Sequence, residues 1–326
     1  MKIINHVYED REGLIQFAEA NALSAAPSLL IQIFFSGRSA EAVYRVRNEL
    51  LSLFPKSAIL ATSTAGVIGD GAMRDDTILI SFSVFEHSAV RTLGFRDQST
   101  QDISASLAAH LITPETKLLV LFANTFRFEA SGLLRQLSRA FPHIAVAGGN
   151  AGDDYRFEHC EVFSDHADDC DVVFAAVDSD RLNVSTRYLL NWQSIGREMK
   201  VTKASGGEVF EIDGRNPVEV YRHYLGDDVA DNILQYGIEF PIIFTSDGVD
   251  IARAAVAVNE ETGSITFAGE VPEHAGVRFG YANIEHIEHL NKAMLSEEFT
   301  TAREGIYVYS CGSRRQMLGG FLNDEL

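Results

Sequence analysis

Two stretches of the chain share one order of features, and this repeat restricts the fold more than any other property of the sequence. Residues 29–66 read LLIQIFFSGRSAEAVYRVRNELLSLFPKSAILATSTAG, and residues 118–152 read LLVLFANTFRFEASGLLRQLSRAFPHIAVAGGNAG. Each opens with an apolar strand, crosses a polar turn and enters an amphipathic helix. The apolar face carries Ala42, Val43, Val46, Leu50 and Leu53 in the first copy, and Leu133, Leu134, Leu137 and Phe141 in the second. Phe54-Pro55 and Phe141-Pro142 then stop the helices at equivalent points, because proline disfavours helix at the residue before it. Short strands follow, AILATS and IAVAGG, and both lead into Ala-Gly, at Ala65-Gly66 and Ala151-Gly152. The pattern is a duplicated β-α-β unit, and a right-handed crossover makes the two strands of each copy parallel, with the helix on one face of the sheet.

Ligands of such sheets gather beyond the carboxyl ends of the strands. In both copies that end is a bend poor in side chains, which makes Ser63, Thr64, Ala65 and Gly66 of the first, and Gly149, Asn150, Gly152 and Asp153 of the second, the candidate ligand-binding residues. Backbone N–H groups and the few polar side chains offer hydrogen bonds there. The same composition also suits two backbones crossing at close range. A nucleotide-phosphate loop does not fit. Such a loop needs a helix directly behind its glycines, whereas Gly66, Gly69 and Gly71 lead into the β-type run TILISFSVF with no lysine in the loop.

Strand-length runs follow each repeat, DDTILISFSVFEHSAVRTLGFR and DVVFAAVDSDRLNVSTRYLLNW. KVTKASGGEVFEIDG then reads as a hairpin turning at Gly206-Gly207, and Pro217 opens a helix through Tyr224. Near residue 237 the style changes to short meandering strands, followed by a helix in NIEHIEHLNKAMLSEEF with Ile284, Ile287 and Leu290 on one face. The expected organisation is an N-terminal domain over 1–236 and a second over 237–326. The fold class is α/β, with mixed sheets flanked by helices in two lobes, and packing of the two lobes sheet against sheet as an αββα-type sandwich is an arrangement that this pattern allows. The last stretch, GIYVYSCGSRRQMLGGFLNDEL, repeats strand, small polar turn and helix without a following strand, which predicts that the second lobe continues beyond these residues.

The balance of 27 Lys and Arg against 46 Asp and Glu gives a net charge of −19, which repels nucleic acid and anionic membrane surfaces. Three cysteines without a C-x-x-C pair argue against a disulfide framework. MKIINHVYED has no apolar signal core and no apolar run approaches membrane-spanning length, so a cytoplasmic protein is expected.

The strand end ATSTAG, the later AVAGGNAGDD, the hairpin and helix KVTKASGGEVFEIDGRNPVEVYRHYLG, EVPEHAGVRFG and the terminal YSCGSRR, in this order, resemble a FIST sensory protein: an N region followed by a partial C region. The resemblance implies a non-enzymatic input module that binds a small molecule such as an amino acid. It further implies control of a downstream signalling module, such as a diguanylate cyclase, phosphodiesterase, histidine kinase or chemoreceptor, in the same chain or a partner. It also raises haem-dependent nitric oxide sensing as an alternative. The closing strands of the family pattern are missing here, which puts in doubt any site that they would complete.

Side-chain chemistry adds three candidates. Cys311, in Ser310-Cys311-Gly312-Ser313-Arg314-Arg315, sits where a helix start and two arginines would activate a thiol, which makes a thiol-dependent enzyme a second alternative, although a small residue of a packed turn reads the same way. Arg314 and Arg315 suit a bidentate grip on a carboxylate, or an ordinary surface ion pair. HCEVFSDHADDCD, residues 159–171, holds metal-ligand types, but strand alternation puts Cys160 and Val162 on one face and His159 and Glu161 on the other, so they do not converge. Ten histidines and no C-x-x-C-H leave a haem ligand unassigned, and no cofactor is expected from the residues themselves.

Overall fold

The computed structural model describes residues 1–69, 71–154, 156, 158–283, 285–289 and 304–318. The described residues divide into two compact units, one holding those up to 187 and those of 304–312, the other those of 188–289 and 313–318.

In the first unit, β1 (Lys2–Val7), α1 (Arg11–Ala20), β2 (Ser28–Phe35), α2 (Ala40–Leu53), β3 (Ala58–Ser63), a small β4–β5 hairpin (Val67–Gly69, Ala72–Arg74) and β6 (Ile78–Phe85) follow in order. Then come β7 (Ala89–Phe95), α3 (Thr100–Ser106) running into a π-helical turn over Leu107–Leu111, β8 (Thr116–Ala123), α4 (Ala130–Ala140), β9 (Ala145–Asn150), β10 (Val162–Ser164) and β11 (Val172–Asp178). One sheet runs β1-β6-β2-β3-β10 and the other β7-β11-β8-β9. Within each, the repeat's own strands are parallel, β2 with β3 and β8 with β9, as the crossover requires. The antiparallel neighbours correspond as well, β1-β6-β2 in one sheet and β7-β11-β8 in the other. The duplication is therefore larger than the sequence repeat: a β-α-β-α-β-β unit occurs twice, and only its middle is legible as similar residues.

An αββα sandwich forms inside this unit, and its halves are the two copies of the repeat and not two lobes, as the shared layer between their sheets shows. Strand alternation separates the layers. Ile31, Ile33, Ile59 and Ala61 face α1 and α2, where Leu14, Val43, Val46 and Leu50 meet them. Leu119, Leu121, Phe174 and Ala176 face α3 and α4, through Ile103, Leu107, Leu133 and Leu137. The opposite faces, Leu30, Leu60 and Phe85 from one sheet with Leu118, Val120, Phe122 and Val173 from the other, form the layer between the sheets. Helix starts are locally specified: the Ser39 hydroxyl accepts from the Ala42 N–H and the Glu129 carboxylate from the Ser131 and Gly132 N–H groups.

The inter-sheet layer also takes in two side chains from far along the chain. Tyr307 donates to Ser83 Oγ at 2.7 Å and Tyr309 to Gln32 Oε1 at 2.8 Å. Gln32 and Ser83 are buried in the two central strands of their sheet, where water cannot serve them. The Tyr309 ring stands edge-on to Phe122, with centroids 5.8 Å apart. Burial pushes both phenols up, that of Tyr307 to about 12. The strand expected at residues 305–310 is instead an irregular segment that ends in a helix, α8, over Gly312–Leu318.

The second unit has one seven-stranded sheet, ordered β15-β14-β18-β12-β13-β17-β16. Its members are β12 (Trp192–Ser205), β13 (Glu208–Ile212), β14 (Ile242–Ser246), β15 (Val249–Arg253), β16 (Ala255–Val258), β17 (Ile265–Phe267) and β18 (Gly276–Ala282). Helices α5 (Pro217–Leu225), α6 (Asp227–Asp231) and α7 (Ile233–Tyr236) interrupt it. The hairpin β12–β13 and the proline-opened α5, which Asn216 caps, lie where the sequence put them. Strands on both sides of residue 237 pair in this sheet, β18 with β12 for instance, so the expected boundary there falls within a unit and the compact units part at 187/188. Of the helix expected after Asn283, residues 285–289 are helical, and its remaining positions, Ile284 and Leu290 among them, lie outside the described residues.

Replacing Tyr309 by Phe removes the hydroxyl while keeping the ring, and leaves Gln32 Oε1 buried without its donor. The expected cost is about 1–3 kcal/mol of folding stability. Equilibrium urea unfolding measures it, and an unchanged midpoint would refute the contact.

Candidate functional site

The two bends of the repeat meet. The Gly152 N–H donates to Ser63 O at 3.0 Å, the Ser63 N–H to Glu161 O at 2.9 Å, and the Glu161 N–H back to Ser63 Oγ at 3.0 Å. Thr64 N–H is held by Phe35 O at 2.8 Å, and Ala151 N–H by Ala123 O at 2.8 Å. Ser63 is thus the knot that ties the end of β3 to both the second bend and the approach to β10.

Close backbone packing explains two of the glycines. Gly148 has φ +125°, and a Cβ on it would lie 1.8 Å from Leu121 O of the neighbouring strand. A Cβ on Gly152 would stand 3.1 Å from Ala65 N. Of the candidates, Ser63, Thr64, Gly152 and Asp153 border a cleft, described next; Ala65 and Gly66 shape the first bend, and Gly149 and Asn150 are exposed at the end of β9 without lining it. Cys311 is an exposed free thiol in the first unit, and Arg314 and Arg315 lie on α8 within the second; none of the three is among the lining residues.

The cleft opens at the carboxyl ends of β2 and β3, in front of α2, with a volume of about 460 Å³. This is where the rule for parallel strands points. One wall is the turn Gly37-Arg38-Ser39 with Ala40 and Glu41 of the first helical turn; the other is Ser63, Thr64, Gly152 and Asp153; Arg156, Glu158, His159 and Glu161 complete it. Gly37 is required by the turn, since it has φ +64° and a Cβ there would sit 1.8 Å from Asp76 Oδ1. Asp153 Oδ2 accepts from the N–H groups of Glu158 (2.6 Å) and His159 (3.1 Å), which fixes the course of the second wall. Glu41 turns back so that its own N–H and the Ser39 hydroxyl hold its carboxyl below the usual carboxylate range. Arg38 and Arg156 are exposed at the cleft and have no carboxylate partner among the described residues.

The lining residues that sequence reasoning did not assign to the site are Gly37 to Glu41, Arg156, Glu158, His159 and Glu161. The turn FSGRSAE ends β2 just as STAG ends β3, so the rule about strand ends applies to both, and the small-residue bends supply one wall of the cleft while this turn supplies the other. His159 and Glu161 were separated from Cys160 correctly: the His159 Nε2 and Glu161 Oε1 atoms are hydrogen-bonded on the cleft side, while Cys160 Sγ points to Ala151 O. No group of three or more His, Cys, Asp or Glu among the described residues could hold a metal ion. The cleft does not fit haem either. A porphyrin needs an apolar slot beside its axial ligand, whereas this wall is charged and its histidine is engaged by Glu161.

A family model described as FIST N domain matches residues 29–215, and one described as FIST C domain matches residues 217–326. A search of curated proteins finds no match. Among the described residues no helix is long and apolar enough to cross a membrane.

Two outcomes are expected from this geometry. Gly148→Ala forces a side chain into the β8 backbone at a positive φ, and should cost about 3 kcal/mol or more, read as loss of the cooperative thermal transition or a large fall in its midpoint. Burial pushes the Cys160 and Cys170 thiols up to about 11, so a disulfide reagent at neutral pH should titrate one fast thiol, Cys311, in the folded protein and all three after denaturation. Rapid labelling of Cys160 would mean that the joint between the bends opens.

Proposed function

The chain belongs to the FIST family, an N domain followed by a C domain, and from that premise we propose that it senses a small acid or amino acid bound in the cleft before α2. FIST domains are sensory domains of signal-transduction proteins. The observation that carries the reading is the pair Arg38 and Arg156: two guanidinium groups at a cleft of small-molecule size, with no carboxylate of the described residues to neutralise them. A guanidinium fork matches a carboxylate with two parallel hydrogen bonds. The acidic groups on the same walls keep the cleft from being a general anion trap, which favours a ligand that carries both signs of charge.

The cleft lies on rigid supports. Two parallel strands fix its floor, the Ser39-capped helix its back wall, and the Asp153 hydrogen bonds its front. Binding at such a place stabilises one conformation of the module over others, and a downstream signalling module, of the cyclase, phosphodiesterase, kinase or chemoreceptor kind, would read that population. The ligand is bound and released unchanged in this reading.

Thermal unfolding in the presence of L-amino acids and small carboxylic acids tests it. A cognate compound at 100 times its Kd should add about 2.7 kcal/mol of apparent stability, saturably. Arg38→Ala and Arg156→Ala should each weaken that response about tenfold or more, yet leave the ligand-free protein within about 0.5 kcal/mol of wild type, because both side chains are exposed. If no compound of either class shifts the transition, or if the variants respond like wild type, the reading is wrong.

A further inference from the structure

On the floor of the cleft lies a carboxylate with half of its hydrogen-bonding capacity unused. Glu161 is only 8% exposed, and its Oε2 is shut off from solvent without a partner among the described residues. Its Oε1 is held by His159 Nε2, whose imidazole stands exposed at the mouth. The backbone of Glu161 is pinned on both sides by Ser63, so the side chain is carried by the sheet and not by a loose loop. Arg127, whose charge also acts on Glu161, and Arg47 make their direct ion pairs with other carboxylates. Arg127 pairs with Asp169 at 2.7 Å and Asp171 at 3.0 Å, and Arg47 with Asp168 and Ser164 O. The Tyr44 phenol, which also faces Glu161, is pushed up by burial and by that carboxylate's charge, and supplies no positive charge. A buried carboxylate oxygen left without a hydrogen-bond donor costs folding stability.

We infer that Glu161 recognises a primary ammonium group on the ligand, so that the cleft selects amino-bearing acids and rejects plain carboxylic acids. The inference rests on the reading of the cleft as the ligand site. The last torsion of a glutamate side chain is soft and two-fold, so the carboxylate can turn its unpartnered oxygen toward an arriving donor. An ammonium brings three N–H donors and a full charge, and charge-assisted hydrogen bonds of this kind are the strong ones. A plain acid brings neither, and adds a second negative charge next to a buried first one. The division of labour is then spatial: Arg38 and Arg156 take the carboxylate, and Glu161 takes the ammonium.

The test pairs each L-amino acid with its desamino counterpart (alanine with propionate, glutamate with glutarate) in titrations against wild type and Glu161→Gln, with urea unfolding of both proteins free of ligand. The expected result is binding of an amino acid at least tenfold tighter than its desamino partner to wild type, a preference that Glu161→Gln loses, and a ligand-free variant whose unfolding midpoint equals or exceeds that of wild type. Equal binding of the two members of a pair, or an unchanged preference in Glu161→Gln, overturns the assignment while the cleft remains a ligand site. A lower midpoint for ligand-free Glu161→Gln also overturns it, since the carboxylate would then be a structural partner. Failure of every amino acid and every plain acid to bind wild type removes the ligand reading of the cleft and this assignment with it.

Discussion

A central strand of the first unit has no face left for water. β2 and β3 on one side, and β8 and β11 on the other, are buried against helices through one set of alternate residues and against the opposite sheet through the other. Fully burying each aliphatic side chain is worth about 1.5–3 kcal/mol, and the arrangement works only if both copies of the repeat are present, because each supplies the surface that the other covers. Everything functional in this unit follows from that mutual covering. It brings the two bends to the same edge, where Ser63 and Gly152 lock them together, and it leaves the strand ends β2 and β3 as the open place.

The legible part of this design was the part written in local pattern. The β-α-β repeat, the Phe-Pro stops, the Gly206-Gly207 hairpin and the proline-opened α5 all rest on periodicity or backbone chemistry that a few neighbouring residues carry. The wider duplication did not show, because β1 and α1 share no side-chain pattern with β7 and α3; they correspond only in position within the sheet. Sandwich packing was foreseeable as a class but not in location, since burial on both faces looks the same whichever partner provides it. The site divides likewise. Alternation placed His159 and Glu161 together, and small residues marked the bends, yet Gly148 and Gly152 are small because a backbone lies against them, a reason that composition cannot distinguish from an empty hollow.

Charge within the cleft differs in kind from that of the whole chain. The net charge of −19 is a property of the surface at large and repels anions at long range. Arg38 and Arg156 set two positive charges among the acidic side chains of the cleft walls, where a bound ligand meets them within the screening length of ordinary saline. An acidic protein can thus keep a place for a carboxylate without becoming attractive to polyanions, since a nucleic acid meets the summed field while a small acid meets two side chains.

The tyrosine pair between the sheets ties the folding of the first unit to the timing of synthesis. Gln32 and Ser83 leave the ribosome early, but the hydroxyls that satisfy them belong to Tyr309 and Tyr307, separated from them by 277 and 224 positions. At about 5–20 residues per second, the interior waits on the order of ten seconds after β11 for its last pieces to be translated. Through that interval the sandwich must either hold a gap lined by unserved polar atoms or remain ajar. Contacts so remote in sequence are slow to form, so completion of this interior is a late event, and one that reports that translation has passed well into the second domain.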